Sequence, residues 1–311
     1  MIGHSGVSTH DVGDGRHDSN RIVRDVTVVE VGPRDGLQNE ANSVPTAAKV
    51  AFVDALSDAG LPIVEVTSFV HPKLVPQLAD AAEVMAAIHR SPGVRYPVLV
   101  PNEQGLARAL GADVDAIALF TAASEAFASA NVAATIDETF ERFAPVVAHA
   151  ATRNIWIRGY ISVSFGCPYS GAVSASAVAA VAERLLALGC DEICLADTIG
   201  VATSRDVQHT LSAMQQIVPI QRLALHFHDT SGNALRNVEA GLDYGVRIFD
   251  SAAGGLGGCP FAPGAPGNLA TEDLIAMLDG AGLRTGVAVE GLTRAVAILA
   301  PYLTAPRFAN A

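Results

Sequence analysis

The sharpest chemical signal in the chain is HFHD at 226–229, where His226 and His228 stand two residues apart. In an extended strand, side chains two apart point the same way, so both imidazoles would project from one face and Phe227 from the other. Two imidazoles on one side, joined by a carboxylate from another strand, suit a divalent cation. A second cluster, GPRDG at 32–36, sets a cation beside an anion. Asp35 can supply a hard oxygen ligand and Arg34 can hold a developing oxyanion with rigid donors. Pro33, Asp35 and Gly36 equally suit a plain turn. Glu65 stands inside the apolar run IVEVT, where a buried charge must be paired or neutralised. Pairing with an arginine such as Arg34 is its expected role, and proton handling is the other. The stretch GLGGCPFAPGAPGN at 255–268 carries Cys259 and Asn268 among glycines and prolines. Such a loop is either a passive connection or a lid hinged on its glycines.

These groups are far apart in the chain, so the elements between them must bring them together. From position 26, short β-branched or apolar runs alternate with longer Ala/Leu-rich segments of helical period, the mark of repeated βα units on a parallel sheet. About eight strands are expected: 26–31, 62–68, 96–100, 116–120, 155–163, 192–197, 223–229 and 247–252. Helices are expected between them, with two more from about Thr271 and Val289. The expected fold is α/β, a (β/α)8 TIM barrel forming one domain over 23–311 with extra C-terminal helices, behind a polar tail, 1–22, expected to be flexible. An open doubly wound sheet is the alternative, but no GxGxxG follows the first strand. In a barrel the reacting groups gather at the carboxyl ends of the strands. That rule takes Arg34, Asp35, Glu65, Asp197, His226, His228, Cys259 and Asn268 to one mouth.

Composition narrows the partners. Half of the 311 residues are apolar and 17% are charged, enough to fill one large core. A net charge of −12 with no basic run argues against nucleic acid. No apolar run approaches the roughly 20 residues that span a bilayer, and the polar start has no apolar signal core, so no membrane association and a cytoplasmic location are expected. Cys167, Cys190, Cys194 and Cys259 form no CxxC pair, so reduced thiols are expected. Cys190 and Cys194, entering strand six, should pack as small apolar groups.

Taken together, VEVGPRDGLQNE, VEVTSFVHPKLVPQ, RGYISVSFGCPY, LADTIGV, LHFHDTSGNAL and the cysteine loop resemble the 3-hydroxy-3-methylglutaryl-CoA lyases over about residues 25 to 300. The resemblance implies a retro-Claisen cleavage giving acetyl-CoA and acetoacetate. It implies Mg2+ or Mn2+ held by Asp35, His226, His228 and Asn268, with Arg34 stabilising the enolate and Cys259 protonating it. Asp35 or His226 is then the general base, with Glu65 and Asp197 also in the catalytic set. Arg34, Gln38, Ser68, Tyr160 and Lys73 are expected to meet the acyl-CoA, and the chain is expected to form a homodimer or tetramer. Ser231 and Asn233, around Gly232, depart from the family's Tyr and Gln, which points to an altered wall near the metal. A sister lyase for another branched or longer 3-hydroxyacyl-CoA is therefore an alternative. An isopropylmalate- or citramalate-type condensing enzyme shares the RDG and HxHD motifs, but such synthases carry long C-terminal regions that this length does not accommodate.

Overall fold

The computed structural model describes residues 24–258 and 267–303. The tail 1–22 and Cys259 lie outside the described residues. The strands are β1 (Thr27–Glu30), β2 (Ile63–Val64), β3 (Thr67–Ser68), β4 (Val98–Leu99), β5 (Ala116–Ala122), β6 (Trp156–Ser162), β7 (Glu192–Asp197), β8 (Leu223–Phe227) and β9 (Ile248–Ser251). They form one parallel sheet in the order β2-β1-β9-β8-β7-β6-β5-β4-β3.

The expected second strand, 62–68, is divided into β2 and β3 around Glu65 and Val66. Backbone hydrogen bonds give the reason. The amides of Val64 and Val66 donate to the carbonyls of Arg95 and Pro97, whereas the Glu65 amide donates to Glu30 of β1. One segment thus serves a neighbour on each side, and the outermost strands of the curled sheet are its two halves. Pro62 and Pro97 have no N–H to give to a ladder, which keeps these strands short.

The helices are α1 (Thr46–Asp58), α2 (Ala81–Ala87), α3 (Glu103–Gly111), α4 (Glu125–Val132), α5 (Ile136–Ala151), α6 (Ala175–Leu188), α7 (Ser204–Met214), α8 (Ala234–Tyr244), α9 (Thr271–Gly280) and α10 (Val289–Leu299). Ser124, Thr135, Ser174 and Thr203 cap α4 to α7, each hydroxyl accepting the amide three residues on. These contacts satisfy donors that the first helical turn leaves over. The last helix, α10, lies along α1. A Cβ at Gly291 would sit 2.6 Å from Ala59 Cβ, so only glycine allows the two backbones this close.

Strand β6 displays the alternation that places the site. Ile157 and Ile161 join the large apolar core under the helices, while Tyr160 packs with Leu99, Ala118, Cys194 and Ala224 inside the sheet's curve. Arg158, two residues before Tyr160, shares that inner face. None of the described helices is long and apolar enough to cross a membrane.

Candidate active site

Just past β1 the chain makes a wide helical turn, Gly32–Gly36, in which the amides of Asp35 and Gly36 both donate to the Val31 carbonyl. Pro33 supplies a fixed φ at the start of the turn. Gly36 is required by close approach, because a Cβ there would lie 2.8 Å from Leu256 Cβ. The turn aims Arg34 and Asp35 inward, so the residue pair that suited either a turn or a site serves as both.

Arg34 is buried. Its Nη1 donates to Asp35, its Nη2 to Glu65 Oε2 at 2.8 Å, and its guanidinium lies 5.6 Å from the Tyr160 ring centre. Arg34 Nε is buried without a hydrogen-bond partner among the described residues. Glu65 is thus paired, as its apolar setting demanded.

Asp35, His226 and His228 each offer one ligand atom, and these atoms lie within 4.8 Å of one another. The imidazole centres are 5.2 Å apart, and His228 Nε2 is 3.9 Å from Asp35 Oδ2. Burial opposes the charge on Asp35, but Arg34 and the two imidazoles outweigh it and hold the carboxyl far below its ordinary range. Asn268 joins them because residues 267–269 run beside the end of β8: the Asp229 amide donates to Gly267 and the Leu269 amide to Phe227. Asn268 Nδ2 donates to Asp35 Oδ2 and to the Leu256 carbonyl, each at 3.0 Å. Its Oδ1 is buried with no partner among the described residues. An unsatisfied amide oxygen beside a carboxylate and two imidazoles fits a hard or borderline divalent cation.

Arg34, Asp35, His226 and His228, together with Gln38, Tyr160 and Ser162, line a cavity of about 690 Å3, and Asn268 adjoins it through its bond to Asp35. The outer end carries Asn102, Asn131, Arg142 and Tyr169. Other expected residues fall elsewhere. Ser68 is buried and its hydroxyl accepts the Val70 amide at 3.2 Å, off the cavity wall. Lys73 is exposed on the segment whose neighbours His71 and Leu74 reach the wall. Asp197 accepts the amides of Val201 and Ala202 at 3.1 and 2.9 Å. Both of its oxygens therefore hold the loop after β7, and burial pushes its carboxyl up. Ser231 and Asn233 are not on the wall as expected. Among the described residues the chain turns outward after Asp229, leaving Ser231 exposed and Asn233 partly so at the start of α8.

Residues that the sequence reading passed over build the rear of the site. Asp250 Oδ2 lies 3.2 Å from His226 Nδ1, and Asp250 Oδ1 accepts from Arg158 Nη2 at 2.6 Å. Despite burial, Arg158 and His226 keep the Asp250 carboxyl below its usual range. Arg158 Nη1 donates to the Tyr160 hydroxyl, which donates to Glu65 Oε2. Cys194, expected only to pack, also donates to Asp250 at 3.6 Å. Fully buried Glu30 accepts the amides of Gly32 and Ala253 at 2.8 and 2.9 Å and the Thr271 hydroxyl at 2.7 Å. Beside it, Glu272 accepts the Gly254 amide at 2.9 Å. A charged residue inside an apolar strand run was the available signal; it was applied to Glu65 but serves Arg158 and Asp250 equally.

An α/β protein with a parallel sheet that carries a carboxylate–imidazole cluster and a buried arginine at its strand ends belongs to a class equipped to hold a divalent cation. The comparisons narrow the class. A family model described as HMGL-like matches residues 25–299, and the chain belongs to that family. It is 50% identical over 297 residues to the mitochondrial hydroxymethylglutaryl-CoA lyase of Bos taurus, covering 96% of this chain and 89% of the relative. The structure of the hydroxymethylglutaryl-CoA lyase from Pseudomonas aeruginosa superposes with a TM-score of 0.89 at 47% identity, covering 91% of this chain and 95% of that one. An HMG-CoA lyase described from "Acenitobacter baumannii", in complex with coenzyme A and 3-methylmalate, gives 0.84 at 39% identity, covering 88% of this chain and 90% of that one.

Proposed function

We propose that this protein is a divalent-metal-dependent 3-hydroxy-3-methylglutaryl-CoA lyase on a (β/α)8 TIM barrel, cleaving its substrate to acetyl-CoA and acetoacetate. The observation that carries the reading is the meeting of Asp35, His226 and His228 on the wall of one cavity, with Asn268 bonded to Asp35, in a chain of the HMGL-like family. Those four residues would hold Mg2+ or Mn2+. When bound, such an ion supplies Lewis acidity that makes a substrate hydroxyl easier to deprotonate.

The chain's own groups account for the remaining needs. In the retro-Claisen step the C2–C3 bond breaks. The hydroxyl carbon becomes the ketone of acetoacetate, and the electron pair passes to the thioester as an enolate. Asp35 is the proton-accepting group at the cluster for the hydroxyl, since the two ring nitrogens of His226 face Asp250 and the cluster. Arg34 is fixed by Glu65 and Asp35 through its Nη atoms and lines the cavity, so its guanidinium is held ready to donate to the enolate oxygen. The enolate carbon then takes a proton from Cys259. That thiol follows Gly257 by two residues, and a Cβ on Gly257 would lie 2.8 Å from Asn268 Nδ2. The polar outer end of the cavity, with Arg142, is where the CoA chain extends. The deciding experiment incubates purified protein with 3-hydroxy-3-methylglutaryl-CoA and Mg2+. Acetyl-CoA and acetoacetate should appear in equal amounts, stop with chelator and return with Mg2+ or Mn2+. Absence of both products with the metal-loaded protein would overturn the assignment.

A further inference from the structure

Asp250 presents a chemical question that the cleavage step leaves open. It is fully buried and does not line the cavity among the described residues, so it does not meet substrate. Yet both its oxygens are engaged. Arg158 takes Oδ1 at 2.6 Å, while His226 Nδ1 and Cys194 Sγ approach Oδ2 at 3.2 and 3.6 Å. A carboxylate is an acceptor only, so the nitrogen facing it must carry the proton. A neutral imidazole with its proton on Nδ1 has its lone pair on Nε2.

We infer that Asp250, anchored by Arg158, is a positioning residue that fixes His226 as the Nδ1–H tautomer and thereby reserves Nε2 for the Asp35–His228 cluster. The inference rests on the metal-holding role of His226 proposed above. A carboxylate behind a metal-ligating imidazole sets ring orientation and raises ligand basicity. Here the carboxylate is itself oriented from across the sheet, since β9, which carries Asp250, and β6, which carries Arg158, are separated by β8 and β7. The same Arg158 reaches Tyr160, which bonds the carboxylate holding Arg34. One buried guanidinium therefore sets both the imidazole and the arginine of the site.

The test begins with metal-free wild-type protein labelled with 15N-histidine, the His226 signals being assigned by their loss in His226→Gln. Long-range proton–nitrogen correlation should find Nδ1 protonated and Nε2 bare. In Asp250→Asn that preference should relax, and Mn2+ affinity, read by electron paramagnetic resonance, should fall about 10- to 100-fold with an unchanged circular dichroism spectrum. A bare Nδ1 in the wild type overturns the inference, and this measurement decides alone should the variant not fold. Equal Mn2+ affinity in wild type and Asp250→Asn overturns the inference while leaving the metal site standing. Wild-type protein that binds no Mn2+ overturns the metal site and the inference together.

Discussion

Arg158–Asp250 and Arg284–Asp25 are pairs of the same chemistry in opposite surroundings. The inner pair meets at 2.6 Å with both side chains fully buried. The outer pair makes two bonds, at 2.8 and 3.0 Å, with side chains 63% and 32% exposed. By bond count the outer pair is the better made. Water and salt screen it, however, and exposed pairs contribute little, whereas separating a buried pair strands a charge that nothing else can solvate. Surroundings, rather than contact geometry, decide what each pair does: the inner one orders the site and the outer one ties β1's approach to the segment before α10.

That contrast can be broken in order of expected size. Arg158→Met leaves Asp250 buried without its cation, and chemical denaturation should show a loss of about 3–5 kcal/mol; a loss as small as a surface change would remove the contrast. Arg34→Lys keeps a charge inside the same network but loses the planar fork. Its kcat should drop roughly 10²- to 10³-fold with little change in thermal midpoint. An unchanged kcat with a raised KM would instead make Arg34 a substrate anchor. Gly291→Ala, at the α1–α10 seam, forces a methyl against Ala59 and should cost about 1–3 kcal/mol while kcat stays put. The smallest effect belongs to Asp25→Asn. The Arg284 side-chain and backbone hydrogen bonds hold Asp25 down at about 2 against an ordinary 3.8. Because its folded value is depressed, whatever stability it adds is present above pH about 3.8 and is lost as pH falls through 2. The unfolding midpoints of wild type and variant should differ slightly at pH 7 and converge toward pH 2. A gap that widened on acidification would reverse the sign of the argument.

Local pattern was sufficient for much of this. The period-2 signal of HFHD placed both imidazoles on one face, and the apolar setting of Glu65 foretold its pairing with Arg34. The strand-end rule took Asn268 to the mouth, but its place in the cluster came only through a family resemblance, because it depends on residues 267–269 lying alongside β8, which no local pattern encodes. Arg158 and Asp250 stand 92 positions apart, and each alone reads as an isolated charge in a strand. The division of 62–68 into two strands was equally hidden, since it reflects which neighbour takes each amide rather than any property of the segment. Ser231 and Asn233 misled for the converse reason. They follow the motif closely in sequence, but the chain leaves the cavity after Asp229.

The carboxylates of Glu30 and Glu272 have a consequence for the opening motions of the protein. They receive the successive amides of Ala253 and Gly254, at the threshold of the glycine-rich stretch. Composition alone would assign these amides to the fast-exchanging class. Bound to a fully buried side chain of β1 and to the first turn of α9, they can meet solvent deuterium only when those elements part. Their exchange should therefore be slow and cooperative with β1, making Ala253–Gly254 a fixed abutment from which the residues that follow depart.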